Sequence, residues 1–295
     1  MRRALVSIVA LGCAVLATAD APAATAAKRA APKLSGTYLV ELDEVHSDGH
    51  YLGLGVARVT TGATPTIEFG MFATGPETAS GTQLEQFVLP YIEQEPVKAG
   101  APLPSLPLET FNAVPELDAN GSGIVVLKTR EYPIAVSASG FTFHGAGGDT
   151  ATHVTAQSLG AGGPKSAKLA RKFKGRAVLD LTGVAPLDSA ELAPSAVSVL
   201  DVDASGNVTG GTLSALTDVQ HEVTIRSGRL VPFAEGVGLM ALRGGAPDTT
   251  DEVLVAVLAF VARRDGSSAA VLGYLSDLQD TGGGRFLPVR GTIAR

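Results

Sequence analysis

The chain has 295 residues, a formal charge of −6, 45% hydrophobic and 18% charged residues. That length holds two small domains or one large all-β domain, and either can bury a core without staples. An acidic chain without basic clusters argues against a nucleic-acid binder, since phosphate contacts need Lys and Arg in patches.

The amino terminus has the form of an export signal. Arg2 and Arg3 are a basic start, Ala4 to Leu16 is an apolar core too short to span a bilayer, and Ala17-Thr18-Ala19 is a small-x-small cleavage site before Asp20. Residues 1–19 are therefore expected to be removed and the product to be periplasmic or extracellular. The single cysteine, Cys13, lies inside this signal. Ala10-Leu11-Gly12-Cys13 loosely resembles a lipid-attachment site, and cutting there would leave an anchored protein. Cutting after Ala19 leaves a mature chain without a thiol, hence without a disulfide or thiolate metal site. Residues 20–33, rich in Ala, Pro and Thr, read as a disordered leader.

Structure is expected from Leu34. Leu34–Leu42 alternates at strand period, and Tyr51–Thr60 and Thr66–Ala73 follow as strands. In Gly81–Glu95, Leu84, Phe87, Val88, Tyr91 and Ile92 fall at helical spacing, and Thr82 and Glu85 have capping-box spacing, so a short helix is predicted, limited by Pro90. Pro96–Pro107 holds four prolines and reads as an extended connection. Strands resume at Phe111–Leu117 and Gly123–Arg130, across the turn Asp118-Ala119-Asn120-Gly121, then at Pro133–Ser137, Gly140–His144 and Ala151–Gln157.

Gly160–Lys168 is the linker candidate. Strands are then expected at Arg176–Leu181, at Val197–Leu216 as a hairpin about Ser205-Gly206-Asn207, and at Val219–Ile225, Leu230–Phe233 and Val237–Leu242. Ala269–Leu275 and Phe286–Ile293 complete the set. Val253–Ala262 is long enough for a helix, but its valines and the following Arg264-Asp265-Gly266 favour a buried strand.

The halves look like copies. Gly36-Thr37-Tyr38-Leu39-Val40-Glu41-Leu42 matches Gly175-Arg176-Ala177-Val178-Leu179-Asp180-Leu181. Val114-Pro115, followed by Gly121-Ser122-Gly123, matches Val231-Pro232, followed by Gly236-Val237-Gly238. The first copy is the longer, and its surplus falls between Gly75 and Glu109. The expected fold is all-β: two tandem related antiparallel β-barrel-like (or sandwich) domains, with one short helix inserted in the first. The boundaries are residues 34–159 for the first domain, 160–168 for the linker and 169–295 for the second. Closure into a barrel or pairing into a sandwich hides the strand edges. The Asp-x-Ser-Gly-Asn-Val-Thr-Gly-Gly stretch beginning at Asp203 and the paired glycine starts resemble poorly characterised bacterial exported repeats, described as lipocalin-like barrels. The resemblance covers residues 175–245 and, more faintly, 34–130. It implies a small closed barrel and carries over no catalytic residue.

Several residues are candidates for chemistry. Asp201, Asp203, Ser205 and Asn207 are spaced like the start of a calcium loop, although Thr212 stands where an EF-hand places glutamate. Strand-to-turn chemistry gives the same spacing. His46 and His50, with Asp43 and Glu44 upstream, gather metal-ligand types in one loop, which otherwise reads as a solvated hairpin. His221 shares the apolar face of its strand with Val219, Val223 and Ile225, as a bonded core histidine or as a polar contact within a cavity. Glu41 and Asp180 occupy matching positions on the polar faces of their strands; turned inward, they would be cavity groups.

No nucleophile elbow, phosphate loop, dinucleotide fingerprint or His-Glu-x-x-His occurs, and no cofactor is expected. Without Trp, with five Tyr and without a terminal aromatic, the chain lacks the girdles of a membrane barrel and is not expected to span a membrane. Three readings remain. One is a non-catalytic protein binding a small apolar molecule inside a barrel, with His221, Glu41 and Asp180 as ligand contacts. Another is a structural or cell-surface module meeting a cell-envelope partner through loops 43–50 and 75–109. The third is a cofactor-free isomerase or cyclase. The first is favoured over any enzyme.

Overall fold

The computed structural model describes residues 33–47, 49–61, 66–74, 79–80, 82, 84, 86, 109–111, 116–127, 130–147, 150–160, 173–184, 195–216, 220–233, 237–250, 252–264, 267–276 and 285–295. The export signal, Cys13, the leader up to residue 32, linker residues 161–168 and the proline-rich 96–107 stretch lie outside them, as does Val219.

Period-two alternation in the first half becomes β1 (Gly36–His46), β2 (Gly49–Thr60) and β3 (Thr66–Thr74), then the two-residue β4 (Ala79–Ser80). It continues in β5 (Glu109–Phe111), β6 (Glu116–Leu117), β7 (Ser122–Leu127), β8 (Arg130–Ser137), β9 (Gly140–Gly147) and β10 (Thr150–Gly160). All but β4 form one antiparallel sheet in the order β5-β3-β2-β1-β10-β9-β8-β7-β6. Within the predicted helix, Thr82, Leu84 and Gln86 are helical.

The second half gives β11 (Gly175–Gly183), β12 (Ser195–Val202), β13 (Asn207–Leu216) and β14 (Gln220–Pro232), followed by β15 (Val237–Gly245), β16 (Val253–Ala262), β17 (Ser268–Ser276) and β18 (Arg285–Ala294). Each strand pairs with the next, and β18 pairs back onto β11 from Val178↔Ala294 to Gly183↔Val289, so eight strands close into a barrel. Closure removes the strand edges. The two strands expected at 219–225 and 230–233 fall on one, β14 (Gln220–Pro232); its ladder continues across an irregularity between Ile225 and Ser227. The run 253–262 is the buried strand β16, nine of its ten residues being buried.

The two meanders share a connectivity: β1 pairs with β2 and also with the last strand, β10, as β11 pairs with β12 and with β18. Each opens on an apolar residue, a spacer and a glycine. Leu34 and Phe173 are 3% and 1% exposed, and Gly36 and Gly175 have φ of 102° and 96°, a conformation that suits glycine.

The barrel interior is filled by side chains. Leu179, Leu181, Leu200, Leu213, Ile225, Met240, Leu258, Phe260 and Ile293 belong to one buried cluster, closed at the start of β11 by Phe173. Eight strands leave an interior just wide enough for such a filling. Fully buried Ser198 is satisfied there by donating to the Thr212 carbonyl at 2.8 Å. The first sheet has its own core of Tyr38, Val40, Ile67, Ile134, Val136, Phe141, Phe143 and Val154. Its ring contacts include Tyr38 edge-on to Phe141 at 5.0 Å between centroids.

Candidate functional site: the cleft between sheet and barrel

Alternation along β1 sends successive side chains to opposite faces. Tyr38 and Val40 enter the core of the first sheet, while Leu39 joins Leu52, Leu54, Val56 and Leu159 against Val237, Val261, Ala270 and Leu272 of the barrel's outer wall. This apolar seam holds the two β bodies together; burying a Leu or Val side chain is worth about 1.5–3 kcal/mol. The outer row of β1 continues as Glu41 and Asp43, and clefts with charged rims open beside the seam.

One cleft, of about 440 Å³, is lined by Glu41, Ser137, Thr142, Thr155, Gln157 and Arg263 among others. Another, of about 490 Å³, is lined by Glu41, Asp43, His153, Thr182, Arg290 and Thr292 with its apolar neighbours. Arg263 reaches Glu41 at 3.9 Å and donates to Gln157 Oε1 at 3.4 Å, and Arg290 reaches Asp43 at 3.9 Å. These solvent-washed pairs are long, and each adds little stability.

A third cavity differs. It measures about 280 Å³ and lies between β3 and the barrel wall, lined chiefly by Met71, Phe72, Leu84, Leu239, Val257 and Tyr274. Leu84 packs with Ala241, Leu254, Val257 and Phe286. The preceding strand, β4, pairs with Arg285 and Phe286, the part of β18 that runs past the β11 ladder. Part of the 75–109 segment thus docks on the barrel. Thr74 also lines this cavity. It is 3% exposed, and its hydroxyl is buried with no hydrogen-bond partner among the described residues. An unpaired buried hydroxyl costs about 1–3 kcal/mol.

The residues picked from sequence scatter. Glu41 lines both of the first two clefts. Asp180 is exposed on the barrel's outer face, and neither it nor His221 lines a cleft described above. His221 is cross-strand to Ala215 and shares the interior row with Val223 and Ile225; its Nε2 is buried without a partner among the described residues. The two acids and the histidine are not brought to one cavity.

His46 and His50 diverge. The hairpin pairs His46 with Gly49 and Val45 with His50, so the two rings lie on opposite faces. His46 Nε2 stands 3.4 Å from Glu44, which accepts a 2.9 Å hydrogen bond from Thr152. His50 Nε2 bonds Asp43 Oδ1 on the barrel-facing side. Asp203 is the hub of a turn: its Oδ1 accepts from the amides of Ser205 at 2.8 Å and Asn207 at 2.9 Å, and its Oδ2 from Asn207 Nδ2 at 2.8 Å. Burial pushes the Asp203 carboxyl up, but the Asn207 side chain and the amides of Asn207, Ser205 and Gly206 outweigh it and hold it below its ordinary value. Asp118 makes the same turn, accepting from the amides of Asn120 at 2.8 Å and Ser122 at 2.9 Å. Among the described residues no group of three or more His, Cys, Asp or Glu is placed to hold a metal ion.

Sequence reading missed Thr74 and the apolar cavity. Thr74 looks like any strand-ending threonine, and the cavity is made by residues far apart in the chain.

No protein-family profile matches the chain, and no curated protein matches it in sequence. Among solved structures it is similar to a DUF3598-family protein of unknown function from Nostoc punctiforme, at 9% identity over 88% of this chain and 96% of that one, with a TM-score of 0.25. It is also similar to a transferrin binding protein B from Haemophilus parasuis, a vaccine antigen, at 7% identity over 90% of this chain and 77% of that one, with a TM-score of 0.26. The assignment as a β-barrel protein rests on the strand ladders themselves. No helix among the described residues is long and apolar enough to cross a membrane.

Proposed function

We propose that this is an exported, non-catalytic β-barrel protein that binds a small apolar molecule in the cavity between β3 and the barrel wall. The observation that carries the reading is a chiefly apolar cavity of about 280 Å³ whose lining includes Tyr274 and Thr74, the Thr74 hydroxyl being buried with no partner among the described residues. Binding sites for small molecules combine apolar walls with a few placed polar groups, and here Thr74 and Tyr274 are the polar side chains of the lining. The barrel interior is the less favoured place for a ligand, because Leu, Ile, Met and Phe side chains already occupy it. The shared connectivity of the two meanders and their paired starts at Gly36 and Gly175 support a duplicated barrel, the first copy being interrupted between β5 and β6. Export rests on the basic, apolar and small-residue series of residues 1–19.

The test is titration with the neutral fluorophore N-phenyl-1-naphthylamine, followed by native mass spectrometry of protein taken from its host envelope. The reading expects saturable one-to-one binding and a bound mass released on denaturation. Ala259→Phe, which fills the cavity from the barrel wall, should abolish both. Binding that survives Ala259→Phe in a folded protein would overturn the site, and absence of both probe binding and bound mass would overturn the function.

A further inference from the structure

The geometry points to a divalent transition-metal site at a cross-strand histidine pair, His144 on β9 and His153 on β10, which sequence spacing did not single out. The two residues are direct partners in the β9–β10 ladder, so both rings stand on the same outer face. Their Nδ1 atoms lie 2.7 Å apart, with ring centroids 4.3 Å apart, and both residues are exposed. Such a contact between two neutral imidazoles requires one Nδ1 to carry the proton and the other to present its lone pair. Moving the donor's proton to its own Nε2 through solvent leaves two lone pairs converging on one point.

That arrangement suits an ion with imidazole affinity. Metal–nitrogen bonds of about 2.0–2.1 Å at a tetrahedral angle need nitrogens roughly 3.3 Å apart. Exposed rings on adjacent strands reach that spacing by a small χ rotation. The pair supplies two ligands and water the remainder; no group of three or more His, Cys, Asp or Glu is placed to hold a metal ion among the described residues. Imidazole ligands select copper, nickel and zinc over magnesium and calcium, and copper(II) binds tightest in the series. Across β10, Asp43 is the register partner of His153 and brings a carboxylate to the next position of the row. Asp43 is itself bonded to His50 and lies 3.9 Å from Arg290, so it contributes field rather than a ligand. The site is separate from the apolar cavity and does not depend on the function proposed for it.

The experiment is calorimetric titration of the untagged mature chain (residues 20–295, which hold no cysteine) with copper(II) alone, repeated with nickel(II), zinc(II) and magnesium. One saturable equivalent of copper is expected, with nickel and zinc weaker and magnesium absent. His144→Gln and His153→Gln should each weaken copper binding by roughly tenfold or more, because one imidazole cannot chelate. His46→Gln, on the opposite face of the sheet, should leave it unchanged. Electron paramagnetic resonance of the copper adduct should show coupling to two imidazole nitrogens. Unchanged affinity in both His144→Gln and His153→Gln, or no saturable copper binding, would overturn the site. Both substitutions are at exposed positions, so loss of fold does not confound them.

Discussion

Gly291 sets the most direct test of the barrel closure. It sits in β18 opposite Leu181 of β11, on the interior row between Val289 and Ile293. A Cβ added there would lie 1.9 Å from the Asp180 carbonyl oxygen and 3.0 Å from Leu181 Cα. Carbon needs about 3 Å or more from that oxygen, so Gly291→Ala must open the seam by roughly 1 Å. Both obstacles are backbone, and no rotamer change relieves them. Overpacking costs about 1–3 kcal/mol, and stretching one or two seam hydrogen bonds adds about 1 kcal/mol each. The sum is roughly 3 kcal/mol, which lowers Tm by about 6–12 °C in a protein of this size. Differential scanning calorimetry measures the shift, and hydrogen exchange should show protection lost first along β11 and β18. Gly210→Ala is the control, since the nearest atom to its added Cβ is Asp201 Oδ2 at 3.9 Å; it should stay within about 0.5 kcal/mol. A Tm for Gly291→Ala within a degree of wild type would refute the closed β11–β18 ladder.

Three further outcomes are expected. Thr74→Val removes the orphaned hydroxyl and should stabilise the ligand-free protein by about 1 kcal/mol in denaturant unfolding while weakening the bound molecule. Asp203→Ala should cost roughly 1 kcal/mol at neutral pH. Because the folded carboxyl is held low, its stabilisation is present above the ordinary value of 3.8 and is lost as pH falls through the folded value, so the wild-type and variant stabilities converge in strong acid. Tyr38→Phe removes a hydroxyl that donates to the Ser35 carbonyl at 2.9 Å and accepts from its amide at 3.1 Å, a loss of about 1 kcal/mol. Burial, against the opposing Ser35 hydrogen bond, raises the Tyr38 phenol above its ordinary value of 10.0. Its contribution is therefore full below pH 10 and fades as pH rises through the folded value, which alkaline unfolding of wild type against Tyr38→Phe will show.

Strands were legible because their period is local. The alternation at Leu34–Leu42 and the valines of 253–262 report directly on a pleated backbone, and both became β1 and β16. The hairpin at Ser205-Gly206-Asn207 was legible for the same reason, since its turn chemistry is contained in five residues. What escaped depends on partners distant in sequence. Gly273 and Gly291 fall inside expected strands, but nothing local tells why they are glycine: at Gly244, Gly273 and Gly291 an added Cβ would meet a neighbouring strand's carbonyl oxygen at 2.2, 2.1 and 1.9 Å. They mark close backbone approach in a small closed barrel, which no local window contains. His46 and His50 look like a pair in the sequence and separate in the hairpin. His144 and His153, nine positions apart, look unrelated and meet.

The pairing of first with last strand has a mechanical consequence. The chain enters β11 at Gly175 and leaves β18 at Ala294, and the antiparallel register places those two points at the same end of the barrel. Tension applied through the two ends would act along the hydrogen bonds of the β11–β18 ladder rather than across them. The seam would then open bond by bond, as a zipper does, instead of resisting as a row sheared together. In this direction the closed barrel is easy to tear.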